Sequence, residues 1–249
     1  MRGVSHRRSL VLGWSLALIG IALFTRLGFW QLARMHEKQA LLAAAHAVLV
    51  TRDARPLAIA ANPRRARAYD WSSADGYFVA APAVLLDNQQ RQDRAGVRAY
   101  RVFQPTDDAA APVLVELGWL PVPGDRRMPV VPRIEGTSHV AGLLAPPPSA
   151  GLARAIAVPQ RDGNLLTIAL DVPMLRRVLQ LPTLAPRVLR LDPAIPIGYP
   201  RDLDILPNTL PPERHLGYAV QWFGLALTVL VTALLLTFRK PKRHPRHDD

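Results

Sequence analysis

Long charge-free apolar runs stand at the two ends of the chain, and short mixed segments fill the space between them. Leu10 to Phe24 (LVLGWSLALIGIALF) carries no charge and follows His6-Arg7-Arg8, and apolar character resumes past Arg26 as far as Trp30. Such a stretch of about 20 residues makes ~30 Å of helix, the thickness of a bilayer's hydrocarbon core. It predicts a transmembrane helix over 10–30. Leu216 to Phe238 is again free of charge and is closed by Arg239-Lys240-Pro241-Lys242-Arg243, which predicts a second one over 215–238. A basic start and an apolar core also describe a cleaved signal peptide. The residues that follow, Thr25 to Arg34, are bulky and offer no small-x-small cleavage site, so an uncleaved anchor is expected.

Between the runs the periodicity changes twice. Leu27, Trp30, Leu32, Met35, Leu41 and Leu42 recur on a broad helical face, so the first helix is expected to continue as an arm over 31–50. Residues 51–68, rich in Arg, Ala and Pro, read as an irregular connection or short helix. Then come short segments rich in Val, Leu and aromatics at 76–79, 83–88, 98–103, 113–119, 137–144 and 165–170, bounded by Gly, Pro, Asp or Asn. No long helices alternate with them, so they predict antiparallel β structure as an open barrel or curled sheet. One short helix is expected over 171–179, capped by Asp171, with Pro173 in its first turn and Leu175, Val178 and Leu179 on its apolar side. The Pro-dense run 181–212 reads as loop or edge strand. The expected fold is a membrane protein with N- and C-terminal transmembrane helices flanking an extracytoplasmic α+β domain, residues 31–214, dominated by antiparallel β structure.

Charge adds an orientation. The net +12 divides into +4 over residues 1–30, +5 over 31–214 and +3 over 215–249, so the excess per residue is greatest at the ends. Short Lys/Arg-rich flanks stay in the cytoplasm, which puts segments 1–9 and 239–249 there and the middle domain in the periplasm of a bacterium, with the chain in the inner membrane. The middle has no dense basic run with interleaved aromatics, so nucleic acid is not an expected partner, whereas membrane lipid is. The absence of cysteine excludes disulfides, thiolate metal sites and a Cys nucleophile.

No GxSxG, HExxH, phosphate-cradling glycine loop or paired carboxylate stands in the chain, so no enzyme is expected. Of the seven histidines, His6, His244 and His247 lie in basic termini, His36 and His46 on the arm and His139 in a strand. His215 differs, because it opens the second span, where a titratable group is uncommon. His215, Tyr218 and Trp222 follow i, i+3, i+7 on one helical face. A neutral imidazole beside Tyr and Trp suits an axial haem ligand, and the same three residues suit an aromatic belt at the headgroups. On the first helix Arg26, Trp30 and Arg34 share a face, where arginine either snorkels to the surface or pairs with haem propionates or lipid headgroups.

Three motifs in order resemble the Surfeit locus protein family of terminal oxidase assembly factors. Leu27-Gly28-Phe29-Trp30-Gln31-Leu32-Ala33-Arg34-Met35-His36-Glu37-Lys38 is similar to its LGxWQxxRxxxK pattern, Gly118-Trp119-Leu120-Pro121 to its RGW(V/I)P strand end, and His215 to Phe223 to its HxxYAxQWF helix start. The chain departs from the family at Glu116-Leu117, where Asn-Arg is usual, and at Arg214, where Asn precedes the motif His. The resemblance implies assembly of a haem-copper oxidase of the cytochrome c oxidase type, with haem a as cofactor, the catalytic subunit as partner and haem a synthase as a further one. It implies His215 as iron ligand, with Tyr218, Trp222, Trp30 and Arg34 shaping the haem cleft. The alternative is a cofactor-free scaffold whose outer domain holds partner subunits.

Overall fold

The computed structural model describes residues 2–107, 110–148, 155–205 and 210–239. Asn208, His244, His247 and all but the first residue of the basic tail at 239–249 lie outside them. The chain divides into two compact units, one of Met1–Leu41 with Thr209–Asp249 and the other of Leu42–Asn208.

The helical unit is built from α1, Arg2–Thr51, whose last turns belong to the other unit, and α3, Pro212–Phe238. Both are long and apolar enough to cross a membrane. The arm expected beyond the first span is continuous helix to Thr51, because no glycine or proline interrupts residues 29–51.

The second unit holds one sheet of nine strands: β1 Ala54–Pro56, β2 Asp70–Phe78, β3 Val84–Arg91, β4 Arg94–Pro105, β5 Val113–Pro121, β6 Thr137–Ala145, β7 Ala157–Pro159, β8 Leu165–Thr167 and β9 Val188–Leu191. Their order is β1-β2-β6-β9-β5-β4-β3-β8-β7, and β2 also pairs with β4, Gly76 opposite Pro105 and Phe78 opposite Phe103. That pairing closes β2, β6, β9, β5 and β4 into a ring. The long β4 makes closure possible: one stretch of its edge takes β3 and the next takes β2.

Antiparallel pairings dominate the sheet as expected, but it is mixed and not purely antiparallel. β1 runs parallel to β2, β8 to β3 and β9 to β5. Turn chemistry marks hairpins such as β3–β4, whose corner is Gln92-Asp93 with positive φ at both residues. The direction of a strand that arrives after a long connection has no such local mark. A second correction concerns 181–212, read as loop or edge strand. It contains β9, which lies inside the sheet between β6 and β5 with all four residues buried. Flanking prolines and two arginines made this stretch look like surface. The segment read as 165–170 forms a strand only over its first half, and Thr167 Oγ1 donates to the carbonyl of Ala169 as the chain turns away.

Alternation along the strands supplies two cores. Leu85, Val97, Ala99, Phe103, Val113, Val115, Leu117, Leu189 and Leu191 pack in one, while Val84, Leu86, Tyr100, Val102, Leu114 and Val188 face the other. The second core is covered by α2, Val172–Val178, through Val172, Leu175 and the following Leu179. Each such buried side chain contributes about 1.5–3 kcal/mol. Helix α2 starts as expected, with Asp171 Oδ1 accepting from the Met174 N–H at 2.8 Å. Near the end of β5 the ladder to β4 slips at Leu117, and Gly118 takes φ +127°. This bulge turns the backbone toward the segment after β9: Tyr199 N–H donates to Leu117 O at 2.8 Å and Trp119 N–H to Pro200 O at 2.9 Å. A side chain at 118 would run into the Tyr199 carbonyl, so the glycine in this motif is required by the backbone.

Candidate functional site

The helical unit brings α1 and α3 together along a seam with alternating spacings of three and four. Among the buried or half-buried positions are Trp14, Ala17, Ile21, Phe24, Gly28, Gln31, Met35 and Lys38 on α1, and Pro212, His215, Ala219, Trp222, Ala226, Val229 and Ala233 on α3. A period of 3.5 keeps two helices in contact along a left-handed crossing, and small residues let them approach closely. At Gly28 an added Cβ would sit 2.6 Å from the Phe223 ring. Phe24 stacks on Trp222 with centroids 5.7 Å apart, and Trp14 Nε1 donates to Thr237 Oγ1 at 3.0 Å near the far end. Lys38 Nζ donates to the carbonyl of Leu210.

His215 lies on this seam and is 8% exposed. Its Nδ1 is 2.7 Å from Gln31 Oε1. An amide oxygen only accepts, so Nδ1 carries the proton and donates, and in the neutral ring Nε2 keeps its lone pair. Nε2 is buried and has no hydrogen-bond partner among the described residues. A bare, unpartnered imidazole nitrogen is the donor that haem iron takes, so the residue fits an axial ligand at the atom that matters. Because that nitrogen is covered, the seam would have to part for any ligand to reach it.

The other residues expected around His215 divide. Trp222 lies on the seam one helical turn below Ala219, against Phe24. Tyr218 is 39% exposed and Trp30 is 54% exposed, and the Arg34 guanidinium, also exposed, pairs with Glu37 at 2.6 Å. Trp30 and Arg34 therefore stand away from the covered face of α1, and the residue that meets His215 is Gln31. Gln31 lies within the motif at 27–38, between Trp30 and Arg34, and not among the residues expected at the site. The 3-4 phase running from Trp14 through Phe24 and Gly28 reaches it, but only the packed pair shows that this face of α1 is the covered one.

A second polar cluster is confined to the sheet unit. Glu116 Oε1 accepts from Arg98 at 2.8 Å, its Oε2 accepts from the Tyr100 hydroxyl at 3.3 Å, and Arg190 Nε lies 3.3 Å from the same oxygen. Burial, with the charge of Glu116 after it, holds the Tyr100 hydroxyl well above its ordinary pKa, so it stays a donor. A cavity of about 320 Å³ opens beside the cluster, lined by Arg91, Trp119 and Asp202 among others. Both carboxylate oxygens of Glu116 are already engaged, so the cluster serves to hold β4, β5 and β9 together. Among the described residues no group of three His, Asp or Glu side chains could hold a metal ion.

The sequence model of the SURF1 family matches residues 18–227, a span that takes in α1 from residue 18 onward, α3 as far as residue 227, the whole sheet and the His215–Gln31 pair. No curated protein matches the chain.

Proposed function

The chain belongs to the SURF1 family, and from that premise we propose that it assists the insertion of haem a into the catalytic subunit of a haem-copper terminal oxidase, with His215 as an axial ligand. The family is generally associated with cytochrome c oxidase assembly and is membrane-associated; it is a family of assembly factors and not a class of enzymes. One observation carries the haem reading: His215 Nε2 is buried, unpartnered and, with Nδ1 donating to Gln31, free of its proton. The haem would supply the redox-active iron of the finished oxidase, and the protein's part is to hold and release it. His215 provides the donor atom and Trp222 a ring beside it, while Trp30, Arg34 and Tyr218 provide exposed aromatic and cationic groups on the two helices. The chain sits in a bacterial inner membrane with both termini in the cytoplasm and residues 31–214 in the periplasm. There the catalytic subunit and haem a synthase are its partners.

Co-expression with haem a synthesis, purification and a visible spectrum test the ligand. Wild-type protein shows a Soret band that His215→Ala loses, and an unchanged band in the variant overturns the assignment. The covered state of Nε2 and the outward position of Trp30 favour a second reading, a scaffold without cofactor. On that reading oxidase assembly survives His215→Ala and fails when strands within residues 76–144 are disrupted.

A further inference from the structure

We propose that Gln31 is the positioning residue for His215: it selects the imidazole tautomer, fixes the ring's rotation and sets the donor strength of Nε2. The proposal rests on the haem reading above only for its last part. A neutral imidazole has one N–H and two places to put it. With Oε1 of Gln31 at 2.7 Å, the proton belongs on Nδ1. With Oε1 facing the ring, the other tautomer would set two lone pairs against each other at that distance, and an amide turned to donate would still leave the Nε2 proton without an acceptor. Such a buried N–H is the kind of orphan that folded proteins avoid most. One contact thus leaves Nε2 as a bare lone pair, able to bond iron without first losing a proton.

The ring comes from α3 and its acceptor from α1, so the direction of the lone pair depends on how the two helices meet. The neighbouring contacts hold that register. Gly28, three residues before Gln31, lets the Phe223 ring come close, and the Phe24–Trp222 stack lies a further turn along. A hydrogen bond at the distal nitrogen of a ligating histidine also raises its basicity, and loss of such a partner typically costs 10–100-fold in metal affinity. An amide acceptor polarises the ring less than a carboxylate does. Gln31 therefore makes His215 a ligand of intermediate strength, suited to a group that is taken up and passed on.

Two measurements on the full chain in detergent test this. In the haem-free protein labelled with ¹⁵N-histidine, the His215 resonances, identified by their loss in His215→Ala, should show Nδ1 protonated and Nε2 bare. Gln31→Leu should give a mixture of tautomers. A proton on Nε2 in the wild type overturns the tautomer assignment whether or not haem binds. In protein loaded with haem a, Gln31→Leu should weaken retention by roughly 10–100-fold and raise the midpoint potential. Gln31→Glu, which keeps an acceptor, should retain haem and lower the potential. If His215→Ala abolishes the Soret band while both Gln31 variants keep wild-type retention and potential, the positioning role is overturned and the ligand stands. If His215→Ala leaves the band unchanged, the ligand reading fails and the tautomer result is judged alone. Should Gln31→Leu not fold, Gln31→Glu and the wild-type tautomer still decide.

Discussion

Asp70 shows how single residues hold the sheet unit together. It is buried on β2 and receives Arg65 through Nη2 at 2.5 Å and Nε at 3.0 Å, and Arg187 through Nη2 at 2.8 Å. Burial pushes its carboxyl pKa up, but the hydrogen bonds from Arg65 and Arg187 outweigh that and hold it below the ordinary value. A carboxylate lowered in the folded state contributes stability that is fully present above its unfolded pKa of about 3.9 and is lost as pH falls through the folded value. Asp70→Asn is therefore expected to cost about 3–5 kcal/mol at neutral pH, because it strands the fully buried Arg187 beside a neutral group. It should also flatten the loss of stability below about pH 4. Urea unfolding of the full chain at a series of pH values reads both effects, and an acid limb as steep as the wild type's would contradict this account.

Helix pairing in the other unit depends on a few close approaches. Gly28 is the tightest, since any side chain there meets the Phe223 ring, which itself packs edge-on against Phe29 with centroids 5.3 Å apart. Gly28→Leu is expected to force the helices apart and cost about 1–3 kcal/mol, and Phe223→Ala in the same chain should return much of it by making room. The chain has no cysteine of its own, so cross-linking can report the spacing without background. Gly20 lies opposite Val229, a built Cβ being 3.9 Å from Cγ1. Cysteines at 20 and 229 should join readily in the wild-type background, poorly with Gly28→Leu and readily again in the double variant. Equal yields in all three would show that position 28 does not set the approach. His215 and Gln31 lie on this seam, so Gly28→Leu should also broaden the His215 tautomer population.

For the molecule as a whole, the arrangement of charge gives the proposed orientation in a bilayer its test. On that proposal the basic residues before the apolar run at Leu10 and after Phe238 favour the cytoplasm for both ends, and a domain of this size crosses largely regardless of its own mild basicity. Alkaline phosphatase fused at about residue 120 should be active and the same enzyme fused after residue 239 inactive. The reverse pattern would invert the orientation. The stretch matched by the SURF1 family reaches into both long apolar helices and covers the sheet between them, so helices and sheet belong to one family unit.

What the amino-acid order determined by itself is what local physics can enforce. A charge-free run of some twenty residues becomes helix because lipid leaves its backbone no other partner. Short β-branched segments between turn residues become strands, and Asp171 before Val172-Pro173 caps a helix. His215 stood out because a titratable group at the start of a span is rare. Tertiary structure decided the rest. The placement of β9 between β6 and β5, and the parallel direction of β8 against β3 and of β9 against β5, come from pairings between distant segments that leave no local mark. Arg187 and Arg190 read as surface residues until Asp70 and Glu116 were brought to them. The facing of the two membrane helices was hidden for a different reason. Their exposed sides are as apolar as their seam, so no contrast in the sequence shows which side of α1 meets α3. Only the packed pair selects Gln31 over Trp30 and Arg34 as the residue against His215.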